Sequence, residues 1–308
     1  MTTEPANDDV ASRIERVRAG RSSVPPEKLI RNLLRLFDLK PGEEEHTFTF
    51  PPLPRVTRDR LFGGQVIAQA MVAAARTVPA PKQIHSLHAY FLRAGDEGLP
   101  TDFTVRLDFD GRSLSNRRVI VRQQDKVIFN LTASFMAPAE GLSHQLAMPD
   151  VLGPEEVWSA EELVANIPDL PERAIENLAR PRPFEMRGVR PRPQERATRH
   201  YQWMRAVAPM PDDPLMHRAA LGFASDMGLL STCMLPHGLD WATPGLFSTS
   251  LDHAMWFHAD FRADEWLLYM MDTDWSGGSR GLNRGSIYRR DGTLVASAVQ
   301  EGLLRFAP

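Results

Sequence analysis

Cysteine is nearly absent from this chain, in which Cys233 is the one thiol among 308 residues. A single cysteine excludes an internal disulfide framework and a zinc site built from several cysteines, and it is typical of a reducing cytoplasm. No apolar run reaches the roughly 18 residues that suggest a membrane span. Residues 1–17 carry acids where a signal peptide needs a basic head, and the chain does not end in the peroxisomal address Ser-Lys-Leu. We therefore expect a cytoplasmic protein without a membrane span.

Blocks of basic charge are also missing. The formal net charge is -3, and no cluster of Lys and Arg of the kind that follows a phosphate backbone occurs, so we expect no nucleic-acid partner. The histidines show no i,i+4 pair on a helix, which predicts no metal site. There is no Gly-x-Ser-x-Gly elbow and no phosphate loop, so a serine hydrolase of the α/β type and a nucleotide cofactor have no support. We predict no cofactor.

Hydrophobic residues make up 43% of the chain, enough for a full core. In the first half, Gly63-Gly64 open a long, Ala-rich apolar helix over 61–78, of a kind that is usually buried on all sides. Alternating segments with turn residues between them then predict an antiparallel meander. Its strands are 84–95, 101–111, 113–124 and 126–136.

The second half repeats this pattern. A buried-type helix over 216–235 precedes segments that predict strands at 251–258, 265–275, 280–290 and 293–306. His88 lies 37 positions before Asp125, and His253 lies 38 before Asp291. This agreement indicates an internal duplication of about 110 residues. A long central helix wrapped by an antiparallel sheet, present twice, predicts an α+β double hot-dog fold.

The expected domain division follows from these patterns. Residues 1–25 are polar and predict a flexible N-terminal extension or a short charged helix. The first hot-dog domain covers 26–138 and the second covers 215–308. The stretch 138–214 holds 12 of the 25 prolines, so we expect 139–214 to be a proline-rich connector. The arginine-rich part at 180–199 has no assignable role.

Three polar residues could carry chemistry. Asp226 lies between apolar flanks in a helix, where aspartate is unfavourable and costly to bury. It could instead lie on a hydrated stripe or bond a backbone donor. Gln300 shares a strand face with small alanines, although a polar residue near a strand end is common. Ser250 precedes an aromatic strand, where hydroxyls usually cap turns.

Taken together, the chain resembles the acyl-CoA thioesterase II family of double hot-dog enzymes over roughly residues 27–306. The matching segments are LFGGQVIAQAM, HSLHAYFLRAGD, RRVIVRQQDKVIFNLTASF, LGFASDMGLL, SLDHAMWFHADFRADEWLLY and LVASAVQEGLLR.

This resemblance implies a site in which an aspartate, a hydroxyl residue and a glutamine hold the water that attacks a thioester. They fall on Asp226, Ser250 and Gln300. The family's hydroxyl residue is typically threonine, so Ser250 keeps the hydroxyl and loses the methyl. The implied reaction is hydrolysis of medium- or long-chain acyl-CoA to a free fatty acid and CoA. Since the first central helix carries Gln65 where the second carries an acid, we expect one catalytic site per chain.

Further residues are expected to bind the substrate. A backbone amide near a helix start, such as that of Gly64, could stabilise the oxyanion. His85 is the next candidate base. Met255, Trp256 and the neighbouring Phe257 are expected to line an acyl tunnel. The candidate cations for the CoA phosphates are Arg93, Arg117, Arg118 and Arg280.

Two other functions stay open at this point. A hot-dog enoyl-CoA hydratase would need an Asp-x-Asn-Pro-x-His sequence, which the chain lacks. A non-catalytic acyl-CoA-binding protein on the same fold is the second. Because sheet edges tend to pair, we also expect a homodimer or homotetramer.

Overall fold

The computed structural model describes residues 6–53, 60–167, 170–189, 196–240 and 243–306. Its helices are α1 (Ala6–Ser22), α2 (Pro26–Leu36), α3 (Gly63–Ala75), α4 (Ala160–Asn166), α5 (Glu172–Ala179) and α6 (Pro214–Ser225), with a 3-10 helix at Leu230–His237. Its strands are β1 (Lys40–Pro41), β2 (Thr47–Phe50), β3 (Gln83–Phe91), β4 (Thr101–Asp110), β5 (Leu114–Gln123), β6 (Lys126–Met136), β7 (Phe184–Val189), β8 (Arg199–Ala206), β9 (Leu246–Ser250), β10 (Asp252–Phe257), β11 (Leu267–Gly277), β12 (Arg280–Arg289) and β13 (Leu294–Phe306).

Within the described ranges, thirteen strands form one antiparallel sheet. The main path runs β1-β2-β4-β5-β6-β3-β10-β13-β12-β11-β8-β7, and β9 pairs with β13. The order outward from β3 mirrors the order outward from β10, so the two halves of the chain meet where β3 pairs with β10. At that junction Met255 lies opposite Leu87. The duplicated pattern of the sequence thus becomes two similar half-sheets joined edge to edge.

The two central helices, α3 and α6, pack against each other on the inner face of this sheet. Every residue of α3 from Gly64 to Ala74 is buried, which explains why its sequence is apolar and small on all sides. Gly222 of α6 lies so close to α3 that a Cβ there would be 2.6 Å from the Met71 sulfur. Small residues therefore set the close approach of the two helices.

The N-terminal segment differs from the expected flexible extension. Residues 6–22 form α1, and Val17 is fully buried in a small cluster with residues of α4 and α5 such as Val164 and Ile175. Of the two alternatives expected for this part, the short charged helix is the one observed, because apolar residues of α1 pack against partners far along the chain. Residues 1–5 lie outside the described residues.

The connector also differs from expectation. Strands β7 and β8 pair with each other, and β8 pairs with β11, so the second half-sheet begins at Phe184 and not near 215. Two short helices, α4 and α5, precede these strands, and α4 begins with a capping box between Ser159 and Glu162. Part of the arginine-rich stretch, 190–195, lies outside the described residues.

The second central helix is shorter than its apolar pattern predicts. It ends at Ser225, Asp226 is its C-cap residue, and Gly228 follows with a φ of 95°. The remaining apolar residues enter the 3-10 helix instead. Asp226 therefore lies at a helix end and not in a helix interior. No helix in the described part of the chain is both long and apolar enough to cross a membrane.

Candidate active site

Three separate elements bring Asp226, Ser250 and Gln300 into contact. Asp226 ends α6, Ser250 ends β9, and Gln300 faces inward from β13, where it is fully buried. The Gln300 side-chain Nε2 lies 2.7 Å from Asp226 Oδ1 and 3.0 Å from Ser250 Oγ. The short strand β9, which pairs with β13, carries Ser250 to this position. All three residues implied by the resemblance therefore meet at one point.

The orientation of the Gln300 amide follows from its neighbours. The Asp226 carboxylate only accepts hydrogen bonds, so the NH₂ group must face it, and its second hydrogen goes to the Ser250 hydroxyl. This leaves the Ser250 proton to be donated elsewhere. The Gln300 Oε1 atom is buried without a partner among the described residues. An acceptor in that position is costly to bury unless it receives a donor.

Asp226 is held on its other side by the start of α3. The Gly64 amide donates to Asp226 Oδ2 at 2.9 Å. The N-cap residue of α3, Phe62, supplies no side-chain hydrogen bond, so the carboxylate serves as the cap from another helix. The positive end of the α3 dipole favours the negative charge. Both carboxylate oxygens thus have a donor, and the Gly64 amide, expected to bind substrate, is engaged by Asp226.

A buried polar group lies directly behind Asp226. Ser225 bonds His253 Nε2 through its hydroxyl at 3.0 Å, and the Tyr269 hydroxyl donates to the Ser225 carbonyl oxygen at 3.0 Å. Burial lowers the pKa of His253, while the nearby Asp226 charge acts to raise it. Burial, and then the Asp226 charge, raise the pKa of Tyr269 well above its ordinary value. Sequence reasoning treated His253 as a structural partner and missed Ser225 and Tyr269.

The comparisons with known proteins agree on one family. Family models match residues 182–303 (acyl-CoA thioesterase) and 52–136 (acyl-CoA thioesterase N-terminal domain). The chain is 41% identical over 266 residues to acyl-coenzyme A thioesterase 8 from Homo sapiens, covering 82% of this chain and 83% of that protein. The chain belongs to the acyl-CoA thioesterase family.

Solved structures show the same relationship. Acyl-CoA thioesterase II TesB2 from Mycobacterium marinum matches with a TM-score of 0.73 at 38% identity, over 89% of this chain and 98% of that chain. A hot-dog protein of unknown function from Alicyclobacillus acidocaldarius matches with a TM-score of 0.71, over 90% of this chain and 98% of that chain; at 19% identity it shows the fold alone. The predicted family, α+β double hot-dog fold and thioester hydrolase class are confirmed.

In this thioesterase the aromatic strand β10 presents alternate residues to opposite faces. Met255 is fully buried and Phe257 nearly so, and both belong to the main core beside the central helices. Trp256 lies on the other face, where it packs edge-on against His88 with 5.2 Å between ring centroids. The prediction that Trp256 lines an acyl tunnel is therefore wrong, because Trp256 points away from the inner face of β10, which carries Met255 and Phe257.

His85 is also separated from the candidate site. Its Nε2 lies 2.9 Å from the Ser134 hydroxyl. Ser134 is flanked on β6 by Ala133 and Phe135, which are buried on the inner face, so Ser134 and its partner lie on the outer face. His85 is therefore not a candidate base for the thioesterase site.

Of the four candidate phosphate-binding arginines, Arg117 is excluded by its surroundings. Its side chain is only 1% exposed, and its Nη2 donates to both Asp110 carboxylate oxygens, at 2.8 and 3.0 Å. Its Nε donates to the Thr77 hydroxyl at 2.9 Å. A guanidinium with these donors occupied inside the protein is structural, so the expectation for Arg117 is wrong.

The other three arginines remain at the surface. Arg93 donates to the Val127 carbonyl at 2.6 Å, and Arg118 forms an ion pair with Asp108 at 3.1 Å. Arg280 pairs with Glu301 at 3.0 Å, next along the strand from Gln300. Because successive side chains alternate across a strand, Glu301 and its partner Arg280 lie on the opposite face of β13 from Gln300.

Among the residues that the structure describes, no group of three His, Cys, Asp or Glu side chains is arranged to hold a metal ion. Two surface cavities, one beside α2 and one at the start of α6, are lined by other residues than Asp226, Ser250 and Gln300. These cavities are not part of the candidate site.

Proposed function

We propose that this protein hydrolyses medium- or long-chain acyl-CoA to a free fatty acid and CoA, with a water held by Asp226, Ser250 and Gln300. The observation that carries this proposal is the Gln300 amide. It donates to Asp226 and to Ser250, and its carbonyl oxygen is buried with no partner in the part of the chain that the structure describes. A water bound beside Asp226 would give that oxygen its missing donor.

The proposed chemistry needs no covalent intermediate. Asp226 takes one proton of the water while the water oxygen attacks the thioester carbonyl carbon. The Gln300 carbonyl accepts the second hydrogen of the water, and the Ser250 hydroxyl donates to the water oxygen. These contacts hold the water in one orientation. The tetrahedral intermediate then breaks its C–S bond, and the CoA sulfur takes the proton from Asp226.

Substrate binding is proposed from the surroundings of the trio. The positive end of α3 lies beside Asp226 and is suited to stabilise the negative oxygen of the intermediate. The exposed cations Arg93, Arg118 and Arg280 are the proposed contacts for the CoA phosphates. Met255 and Phe257 line the apolar interior, which is the proposed side for the acyl chain.

The test is the change Asp226→Asn, assayed by release of free thiol from a series of acyl-CoA substrates. Loss of the base should lower kcat by about 10²–10⁴-fold. The protein should still fold, because asparagine keeps the shape and one acceptor oxygen, and the melting temperature measures the loss of the second accepted hydrogen bond. Asp38→Asn, at a side chain that is 80% exposed, is the matched control and should have full activity.

Two outcomes would overturn the proposal. Full thiol release by the Asp226→Asn protein would exclude Asp226 as the base. Saturable acyl-CoA binding by the unchanged protein without any thiol release, across short to long chains, would favour a binding protein instead.

A further inference from the structure

The buried group behind Asp226 has no part in the proposed water binding. Ser225, His253 and Tyr269 are fully buried. They come from α6, β10 and β11, and His253 and Tyr269 both hydrogen-bond Ser225, the residue that precedes Asp226. The Tyr269 ring fits only because position 285 is glycine, where a Cβ would be 2.2 Å from the ring. The glycine at position 285 therefore leaves space for the Tyr269 ring in the core.

The number of available protons determines which atom donates in the hydrogen bond between Ser225 and His253. The Ser225 hydroxyl has one proton, and its oxygen lies 3.0 Å from the Gly222 carbonyl, which can only accept. The bond to His253 must then be donated by Nε2–H. This tautomer leaves Nδ1 as a bare acceptor, and Nδ1 is indeed buried without a partner among the described residues. A protonated ring would bury a charge and an unpaired donor, so His253 is neutral.

These bonds hold both the backbone and the side chain of Ser225. The Tyr269 hydroxyl holds the Ser225 carbonyl, whose peptide bond leads directly into Asp226. The His253 ring holds the Ser225 side chain. Since Asp226 follows the last residue of α6, its backbone has no further helical turn to fix it. Its N–H bonds the Ala224 carbonyl, and the two contacts add a restraint from the sheet on the residue before it.

We infer that His253 and Tyr269 are positioning residues for Asp226, which fix the carboxylate between the Gly64 amide and the Gln300 amide by holding Ser225. The inference rests on the proposed role of Asp226 as the base. The proposed effect is on the position of the Asp226 carboxylate. Displacing a catalytic group by about 1 Å can lower the rate on the order of 10²-fold.

The experiment compares variants that remove or keep the donated hydrogen bonds. His253→Leu removes the Nε2–H donor, and Tyr269→Phe removes the hydroxyl. Each should lower kcat on the order of tenfold to a hundredfold and leave KM within about threefold, because the substrate contacts are unchanged. His253→Gln keeps an N–H donor on a side chain of similar reach and should recover most of the lost kcat.

The matched control is His258→Leu. His258 lies on the same segment and makes the same kind of bond, with its Nε2 2.9 Å from the Ser297 hydroxyl, but at an exposed position. This variant should have the kcat of the unchanged protein. Tyr269→Phe is a smaller change than His253→Leu and keeps the test valid if the leucine variant does not fold.

The outcomes separate this inference from the proposed function. An inactive Asp226→Asn protein together with folded His253→Leu and Tyr269→Phe proteins of unchanged kcat would overturn the positioning role alone. Equal losses in His253→Gln and His253→Leu would also overturn it, because the donated bond would then be irrelevant. An active Asp226→Asn protein would overturn the proposed function itself.

Discussion

At the scale of single residues, Gln300 determines the geometry of the site. Its side chain has two N–H donors and one acceptor oxygen, and it uses the two donors to join Asp226 to Ser250. Its own backbone carbonyl accepts from Asn283 Nδ2 at 3.2 Å, and Asn283 Oδ1 accepts from the Cys233 amide at 2.7 Å. Asn283 of β12 therefore holds the backbone of Gln300, and Cys233 of the 3-10 helix holds Asn283 in place.

This geometry predicts an unusual pH dependence for Gln300→Glu. At neutral pH the new carboxylate would lie beside Asp226, where the amide nitrogen is now 2.7 Å from Oδ1. Two carboxylates at that distance raise the pKa of one of them, and a protonated Glu can donate to Asp226 as the amide does. We expect kcat about 10²-fold below normal at pH 8, with activity increasing as the pH falls. Rate profiles between pH 5 and 9 would measure this.

The control for that profile is Gln145→Glu, the same change at an exposed side chain that bonds the Gly292 carbonyl at 2.8 Å. Its profile should match that of the unchanged protein. A Gln300→Glu enzyme whose activity does not increase as the pH falls would contradict the assigned contact between positions 300 and 226.

Two of the residue predictions that failed, those for Trp256 and Arg117, failed for different physical reasons. Trp256 was grouped with its aromatic neighbours, although strand alternation alone places it on the opposite face from Met255 and Phe257. That signal was present in the sequence. Arg117 could not be assigned from the sequence, because its burial depends on Asp110 and Thr77 reaching it in the folded chain.

At the scale of elements, the start of α3 consists of two glycines, Gly63 and Gly64, where it meets Asp226. A Cβ at Gly63 would be 2.7 Å from Asp226 Oδ2 and 3.0 Å from the Phe91 ring, and one at Gly64 would be 2.3 Å from the Phe223 carbonyl. Glycine is needed at both positions because the helix start lies so close to Asp226 and Phe223. It is not needed for the backbone conformation, since neither residue has a positive φ. The Gly-Gly pair that marks the helix start in the sequence thus also defines the site.

We expect Gly63→Ala to separate activity from folding. The added methyl must displace the Asp226 carboxylate, which should lower kcat by about tenfold or more, while overpacking costs about 1–3 kcal/mol of unfolding free energy. Thiol release and denaturant unfolding would measure the two effects. Gly141→Ala, with nothing within 4 Å of its added Cβ, should change neither. A fully active Gly63→Ala enzyme would mean that the carboxylate has room to move.

Element prediction succeeded where pattern and turn chemistry agree. Strands β3 to β6 follow the alternating segments of the sequence closely, and α3 follows its apolar run. Strand β8 escaped notice because its place in the sheet depends on pairing with β11 and not on local alternation. The end of α6 was missed because apolar residues continue into the 3-10 helix. No sequence spacing could join Asp226, Ser250 and Gln300, which come from three elements; the family resemblance supplied them.

At the scale of the whole molecule, the duplication did not preserve the site in both halves. The C-cap residue of α3 is Arg76, where α6 has Asp226. On β6, the counterpart of β13, the inward residues Leu131, Ala133 and Phe135 are all apolar and fully buried, so no amide corresponds to Gln300. Arg76 instead forms an ion pair with Asp38 and stacks over Phe48. The first half thus acts as the scaffold that supplies the Gly64 amide.

This asymmetry predicts one substrate per chain in any assembly. The Asp226→Asn protein should keep its substrate contacts, so the uncleaved acyl-CoA itself can serve as the ligand. Isothermal titration with a long-chain acyl-CoA should then give a stoichiometry of about one per chain, since only the half of the fold with the polar trio is built to orient a thioester. The same value is expected for the homodimer or homotetramer that we propose, because each chain carries a complete trio. Two equivalent sites per chain would contradict this prediction. The first half, which has no counterpart of Asp226 and Gln300, would then bind substrate without cleaving it.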